Sequence, residues 1–137
     1  MKRVFVDSGG FFSALAPKDA NHPAAKALFA QAASEAWRLV TTNAVVYETH
    51  ALIVNRAYNG PAAALQFLAS LEGGLIQVER IAEADERAAV DLLRSHRDKA
   101  YSYCDASSFV VMERLGIDSA IAFAQHFRQY GPITVLG

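Results

Sequence analysis

The sequence predicts an α/β fold, a single three-layer α/β/α domain on a five-stranded parallel sheet. Three observations predict it. Short apolar runs such as Val4-Phe5-Val6 lack the strict alternation of a half-exposed strand and suit strands buried on both faces. Longer segments with helical apolar spacing separate those runs, as crossover connections in a parallel sheet require. No repeat, low-complexity tract or linker breaks the alternation, and 137 residues is the length of one domain, roughly 100–200.

Val4-Phe5-Val6 is the first strand, ending at Asp7 before Gly9-Gly10. Phe11 to Leu15 reads as a brief helix stopped before Pro17. Asn21 is a good N-cap, with Pro23 in the first turn of a helix running to about Glu35. Ala25, Leu28, Phe29 and Ala32 give that helix its apolar stripe. Leu39 to Thr42 is the second strand, and Asn43 is read as the cap of a helix reaching about Tyr58. Asn59-Gly60-Pro61 breaks it, and an alanine-rich helix continues to Glu72 before Gly73-Gly74. Leu75 to Ile81 is the third strand. A helix from about Glu83 carries Ala89, Leu92, Leu93 and His96 on one face. The helix after Tyr103 runs to Gly116, a C-terminal stop signal. Ser119 to Phe123 and Thr134 to Leu136 are the fourth and fifth strands.

Composition excludes several classes of function. With 53% hydrophobic and 20% charged residues the chain is not disordered. Thirteen Lys+Arg against fourteen Asp+Glu give a net charge of -1, so any polyanion it binds must meet a local basic patch. The one cysteine, Cys104, excludes a disulfide framework and a multi-thiolate zinc site. The opening residues reach Asp7 after three apolar positions, too soon for a signal peptide, and no run approaches the ~18 residues of a membrane span. A soluble, cytoplasmic protein is expected.

Three acids stand out by position. Ligands of open α/β sheets bind at the carboxyl ends of strands, where strand order reverses. Asp7 ends the first strand, Glu48 lies in the opening turns of the helix after the second, and Asp105 lies in the first turn of the helix before the fourth. That last helix runs back towards the sheet's far end, so its N-terminal turn returns to the same edge. Asp105 shares a helix face with Ser108, Phe109 and Met112, and Glu48 lies between Val45 and Leu52. Acids bordering buried faces without a nearby Lys or Arg are costly unless a cation neutralises them. A hard divalent ion, Mg²⁺ or Mn²⁺, suits such oxygen ligands. Each acid also has an ordinary reading: Asp7 as a helix cap, Glu48 as a solvated helix residue, Asp105 as an N-terminal acid favoured by the helix dipole.

In order along the chain, Val4-Phe5-Val6-Asp7-Ser8, Leu39-Val40-Thr41-Thr42-Asn43 with Glu48-Thr49, Tyr101-Ser102-Tyr103-Cys104-Asp105-Ala106-Ser107-Ser108-Phe109 and Phe123-Ala124-Gln125-His126-Phe127 resemble the PIN-domain family, within it the VapC-like ribonuclease toxins. The resemblance covers nearly the whole chain, residues 1–137, as one PIN-like nuclease domain. It implies Asp7, Glu48 and Asp105 as catalytic, metal-holding residues. It further implies Mg²⁺ (or Mn²⁺) as cofactor and in-line attack of an activated water on an RNA phosphodiester. The partners implied are an RNA substrate, a small cognate antitoxin and a second copy in a homodimer.

The chain departs from the family pattern where the fourth acid is expected, at Ala124. Asp118 precedes the fourth strand, at the opposite end. Gln125 or His126 offers a contact through water, with His126 otherwise read as a surface or packing residue. The alternative function is therefore a PIN-like RNA-binding or protein-interaction module with little turnover. Ser8, Asn43 and Ser102 are read as polar groups orienting ligands or phosphate, with capping and turn formation as their other roles. Cys104 has no adjacent base and is read as packing. Arg94, His96, Arg97 and Lys99 gather before Tyr101 and Tyr103, with Arg56 and Arg128 as extensions, in a pattern suited to RNA backbone and base stacking. The Phe11-Phe12 and Leu28-Phe29 segments serve either an interface or the core.

Overall fold

The computed structural model describes residues 1–137. Five strands, β1 (Arg3–Val6), β2 (Arg38–Thr42), β3 (Ile76–Glu79), β4 (Ser119–Ile121) and β5 (Thr134–Val135), alternate with seven helices. These are α1 (Ser8–Leu15), α2 (His22–Ser34), α3 (Asn43–Arg56), α4 (Gly60–Leu71), α5 (Glu83–Ser95), α6 (Tyr103–Leu115) and α7 (Gln125–Tyr130). The sheet order is β3-β2-β1-β4-β5 and every pairing is parallel. The predicted three-layer α/β/α architecture is the one observed.

β1 lies at the centre, with Phe5 opposite Val40 on one side and Ala120 on the other. Val4, Phe5 and Val6 are fully buried, which explains a run that is apolar without alternation. The chain leaves β1 towards β2 and β3, then returns to add β4 and β5 on the other flank. Strand order therefore reverses between β1 and β4, and the carboxyl ends of those two strands flank the cleft where such sheets bind ligands.

Strands three to five are shorter than predicted, the third and fourth for one reason. β3 pairs with β2 up to Thr42↔Glu79, and β2 then turns into α3, leaving Arg80 and Ile81 without a strand partner. β4 likewise ends at Val6↔Ile121, where β1 ends. Pairing, not β propensity, sets strand length here. α1 begins earlier than predicted, at Ser8, and takes Gly9 and Gly10 into its first turn. Gly10 passes so close to β4 that a Cβ would stand 2.7 Å from the Ile121 carbonyl oxygen. The α3–α4 corner uses the same device: Asn59 adopts a left-handed φ of 51°, and a Cβ on Gly60 would lie 2.7 Å from the Ile53 oxygen.

The Phe11-Phe12 and Leu28-Phe29 segments belong to the core. Phe11 is buried and packs on Phe29 and Phe67 at ring distances of 6.1 and 5.2 Å, and Phe12 and Leu28 lie against the same cluster. Leu15, Val54, Tyr58 and Leu65 are among the apolar side chains that are instead exposed. Asn21 holds the N-cap position of α2 without a side-chain cap bond. Asp19 braces that corner, accepting from Ser13 Oγ at 2.8 Å and from the Asn21 N–H at 3.0 Å.

One ion pair was not foreseen. Arg114 of α6 donates through two nitrogens to the buried Asp85 carboxylate of α5, both at 2.9 Å, and approaches Glu79 of β3 at 3.3 Å. This guanidinium holds the Asp85 carboxyl below its ordinary range. No helix is long and apolar enough to cross a membrane.

The close approach at β4 generates a differential prediction. Gly10→Ala should destabilise the fold by about 1–3 kcal/mol in urea unfolding, the usual cost of overpacking. Gly9→Ala, whose Cβ would meet nothing nearer than 4.0 Å, should be neutral or slightly stabilising.

Candidate active site

Asp7 follows β1 directly, and its N–H extends the ladder to the Ile121 carbonyl at 3.1 Å. It occupies the N-cap position of α1, yet its side chain makes no cap bond. The residue is 3% exposed, and Oδ1 is buried with no hydrogen-bond partner. Burial pushes this carboxyl up to about 7; nearby Glu48 and Asp105 add to the rise, and the Ser8 and Gly9 N–H groups partly oppose it.

Glu48 reaches the same edge from the second turn of α3. The buried Ser8 hydroxyl donates to its Oε1, tying α1 to α3. Helix α3 is aimed by the strand before it. Thr41 Oγ1 donates to the Val6 carbonyl at 2.8 Å, and Thr42 Oγ1 accepts the Val45 N–H at 3.1 Å. Thr42, not Asn43, is therefore the cap. Asn43 uses Oδ1 to accept the Ile81 N–H at 2.8 Å, fastening the end of β3 to the start of α3.

Asp105 arrives at the N-terminal turn of α6 in a reciprocal capping arrangement. Ser102 Oγ accepts the Asp105 N–H at 2.9 Å, and Asp105 Oδ2 accepts the Ser102 N–H at 2.9 Å. Ser102 is thus both a cap and the group that orients Asp105. The same Oδ2 accepts from His126 Nδ1 at 2.9 Å. His126 is therefore in direct contact with the acid, where sequence reasoning offered only water mediation or packing.

The three carboxylates share one edge and feel one another's charge, and the Cys104 thiol between them shows it. Burial pushes that thiol up, and Glu48, Asp7 and Asp105 raise it further, so Cys104 is an inert wall. No group of three His, Cys, Asp or Glu side chains has its donor atoms drawn together tightly enough to hold a metal ion as it stands. The donor chemistry nonetheless fits a hard divalent cation: oxygen ligands, an orphaned buried carboxylate oxygen at Asp7, and no Lys or Arg paired with any of the three.

The proposed RNA-facing residues divide. Tyr101 is buried at 8% exposure, its ring edge-on to Phe109, His126 and Tyr130 and its hydroxyl without a partner. It is a core residue with no face free for a base. Arg94 pairs with Asp91 and Lys99 with Asp98, both at the surface, whereas Arg97 is exposed and makes no ion pair. Arg128 donates to the Gly137 carbonyl, and Arg56 borders a separate groove with Lys18 and Tyr58. Gln125 is exposed at the start of α7 without a side-chain bond, and Ala124 is its exposed N-cap.

Sequence reasoning missed Tyr47. It is 72% exposed, next to Glu48, and faces Tyr103, 48% exposed, across a cleft of about 420 Å³. Asn43, Ala44, Ile81, Glu86, Cys104 and Ser107 complete the lining. A signal was available: Val45, Val46, Thr49 and Ile53 form the buried stripe of α3, which leaves Tyr47 as an aromatic pointing off it.

No protein-family model matches the chain. It is 35% identical over 133 residues to the 23S rRNA-specific endonuclease VapC20 of Mycobacterium tuberculosis, covering 96% of this chain and 97% of the relative. A VapC ribonuclease of Archaeoglobus fulgidus is 31% identical over 115 residues, 82% of this chain and 71% of that one. Among solved structures, M. tuberculosis VapC20, described as a sarcin-ricin loop cleaving toxin, matches with a TM-score of 0.86 at 33% identity over 93% of this chain and 95% of its own. FitAcB of Neisseria gonorrhoeae matches at a TM-score of 0.67 and 12% identity over 98% of this chain and 96% of its own, a likeness of fold alone.

The orphaned acid sets a pH dependence. Between the ordinary value of 3.8 and about 7, the folded chain holds a proton on Asp7 that the unfolded chain has lost. Its contribution to stability is therefore full below about 4 and disappears as pH rises through about 7. With EDTA present, Asp7→Asn should remove this slope and exceed wild type at pH 8 by roughly 2–4 kcal/mol in urea unfolding. A variant no more stable than wild type at that pH would show that Asp7 is not desolvated.

Proposed function

Because the chain belongs to the VapC family of PIN-domain nucleases, we propose that it is a Mg²⁺- or Mn²⁺-dependent endoribonuclease, the toxin of a toxin–antitoxin pair acting in the cytoplasm. The observation that carries the reading is the Asp7 carboxylate, buried without a counter-charge at the sheet's switch point beside Glu48 and Asp105.

In this reading Asp7, Glu48 and Asp105 hold the cation, with Ser8 orienting Glu48 and Ser102 orienting Asp105. The bound ion supplies positive charge that eases deprotonation of the attacking water and neutralises the phosphoryl oxygens. Asn43 sets the start of α3 and so the reach of Glu48, while exposed Gln125 is available to a phosphate. Arg97, with Lys99 and Arg94, contributes cationic charge to the RNA backbone. Tyr103 keeps the stacking role first given to it and Tyr101, with Tyr47 in place of Tyr101, on either side of a cleft large enough for a small ligand, roughly 300–1,000 Å³. The relatives' names point to 23S rRNA, and within it the sarcin-ricin loop, as the first substrate to try. Leu15, Val54, Tyr58 and Leu65 offer apolar surface for the antitoxin or a second copy.

Cleavage of 23S rRNA and of a sarcin-ricin loop oligonucleotide, with Mg²⁺ or EDTA, tests the reading. Metal-dependent products that fall at least about a hundredfold in Glu48→Gln are expected. Binding without cleavage under both conditions would favour the interaction module suggested by Ala124. In the same assay Tyr103→Ala should raise KM about tenfold with kcat little changed, and Tyr103→Phe should behave as wild type, since stacking needs the ring and not the hydroxyl.

A further inference from the structure

We infer that His126 is a positioning residue for Asp105, acting from α7 two residues beyond Ala124, where a fourth carboxylate is expected. The inference rests on the proposed metal-holding role of Asp105. Ala124 is the N-cap of α7 and carries no donor, while two residues on His126 Nδ1 lies 2.9 Å from Asp105 Oδ2. A carboxylate only accepts, so Nδ1 carries the proton of this bond. The same Oδ2 also accepts the Ser102 N–H at 2.9 Å, whereas Oδ1 receives no hydrogen bond from the protein. Two donors on one oxygen fix the rotation of the carboxylate and leave the other oxygen for a cation.

The imidazole is itself held in place. Its ring stands edge-on to Tyr101 at 5.9 Å, and Tyr101 is braced in turn by Phe109 at 5.3 Å. Phe109 stacks on Tyr130 at 4.2 Å. Phe109 belongs to the same helix as Asp105, and Tyr130 to the same helix as His126, so one aromatic packing sets both partners of the bond. The side chain of His126 is 27% exposed, enough to border the edge without leaving the packing. A fourth acid would add negative charge to the cluster, whereas an imidazole adds none.

Two variants separate positioning from packing. His126→Phe keeps a ring against Tyr101 and loses the N–H; His126→Asn keeps a donor in the place of Nδ1 and loses the ring. Mn²⁺ titration followed by electron paramagnetic resonance, with thermal unfolding alongside, reads both. The expected result is a Kd for Mn²⁺ about tenfold weaker in His126→Phe at unchanged Tm, and a Kd within about threefold of wild type in His126→Asn despite a lower Tm. Wild-type affinity in His126→Phe, or a loss in His126→Asn equal to that in His126→Phe, would overturn the role of His126 alone. A wild-type protein that binds no Mn²⁺ would overturn the metal-dependent reading and this one with it.

Discussion

The desolvation of Asp7 is the constraint around which the rest of the molecule is arranged. β1 must be apolar because it is covered on both faces, and it delivers the chain into the gap between itself and β4. A carboxylate placed there loses its water and finds no arginine or lysine. Asp85 shows what the same chain does when burial of an acid is structural. It is also 3% exposed, but Arg114 meets both of its oxygens and its carboxyl is pulled down where that of Asp7 is pushed up. Equal exposure with opposite electrostatic treatment sets Asp7 apart as the buried acid that the polypeptide leaves without a counter-charge.

The supports of the other two acids follow the same economy. Each is fastened through one oxygen by groups already needed for folding: the Ser8 hydroxyl for Glu48, the Ser102 cap and the His126 ring for Asp105. Capping, packing and orientation of the acids thus use the same atoms. A substitution in this region will seldom alter one of these properties without the others.

The layered architecture was legible because β1 and β2 are short, apolar and separated by helical spacing, and the edge shared by the three acids followed from strand direction alone. Strand ends were less legible, since they depend on where the neighbouring strand turns away, as at Thr42 for β3 and Val6 for β4. Asn43 was misread because cap preference cannot tell two adjacent candidates apart; Thr42 took the cap once Asn43 found the Ile81 N–H. Tyr101 was misread because its basic neighbours suggested a surface, while two of the aromatic partners that bury it, Tyr130 and His126, come from a helix more than twenty residues away. The Arg114–Asp85 pair and the His126–Asp105 contact were hidden for the same reason: each joins residues that only the finished fold makes neighbours.

Among the five strands the central one comes first in the chain, and one of its two flanking neighbours comes fourth. Phe5 waits for Ala120, and Asp7 waits for Asp105, with His126 later still. A chain still emerging from the ribosome, or one truncated before its last two strands, therefore has its earliest acid but no assembled edge to place it in. The edge is complete only when residues from nearly all of the 137 are present together.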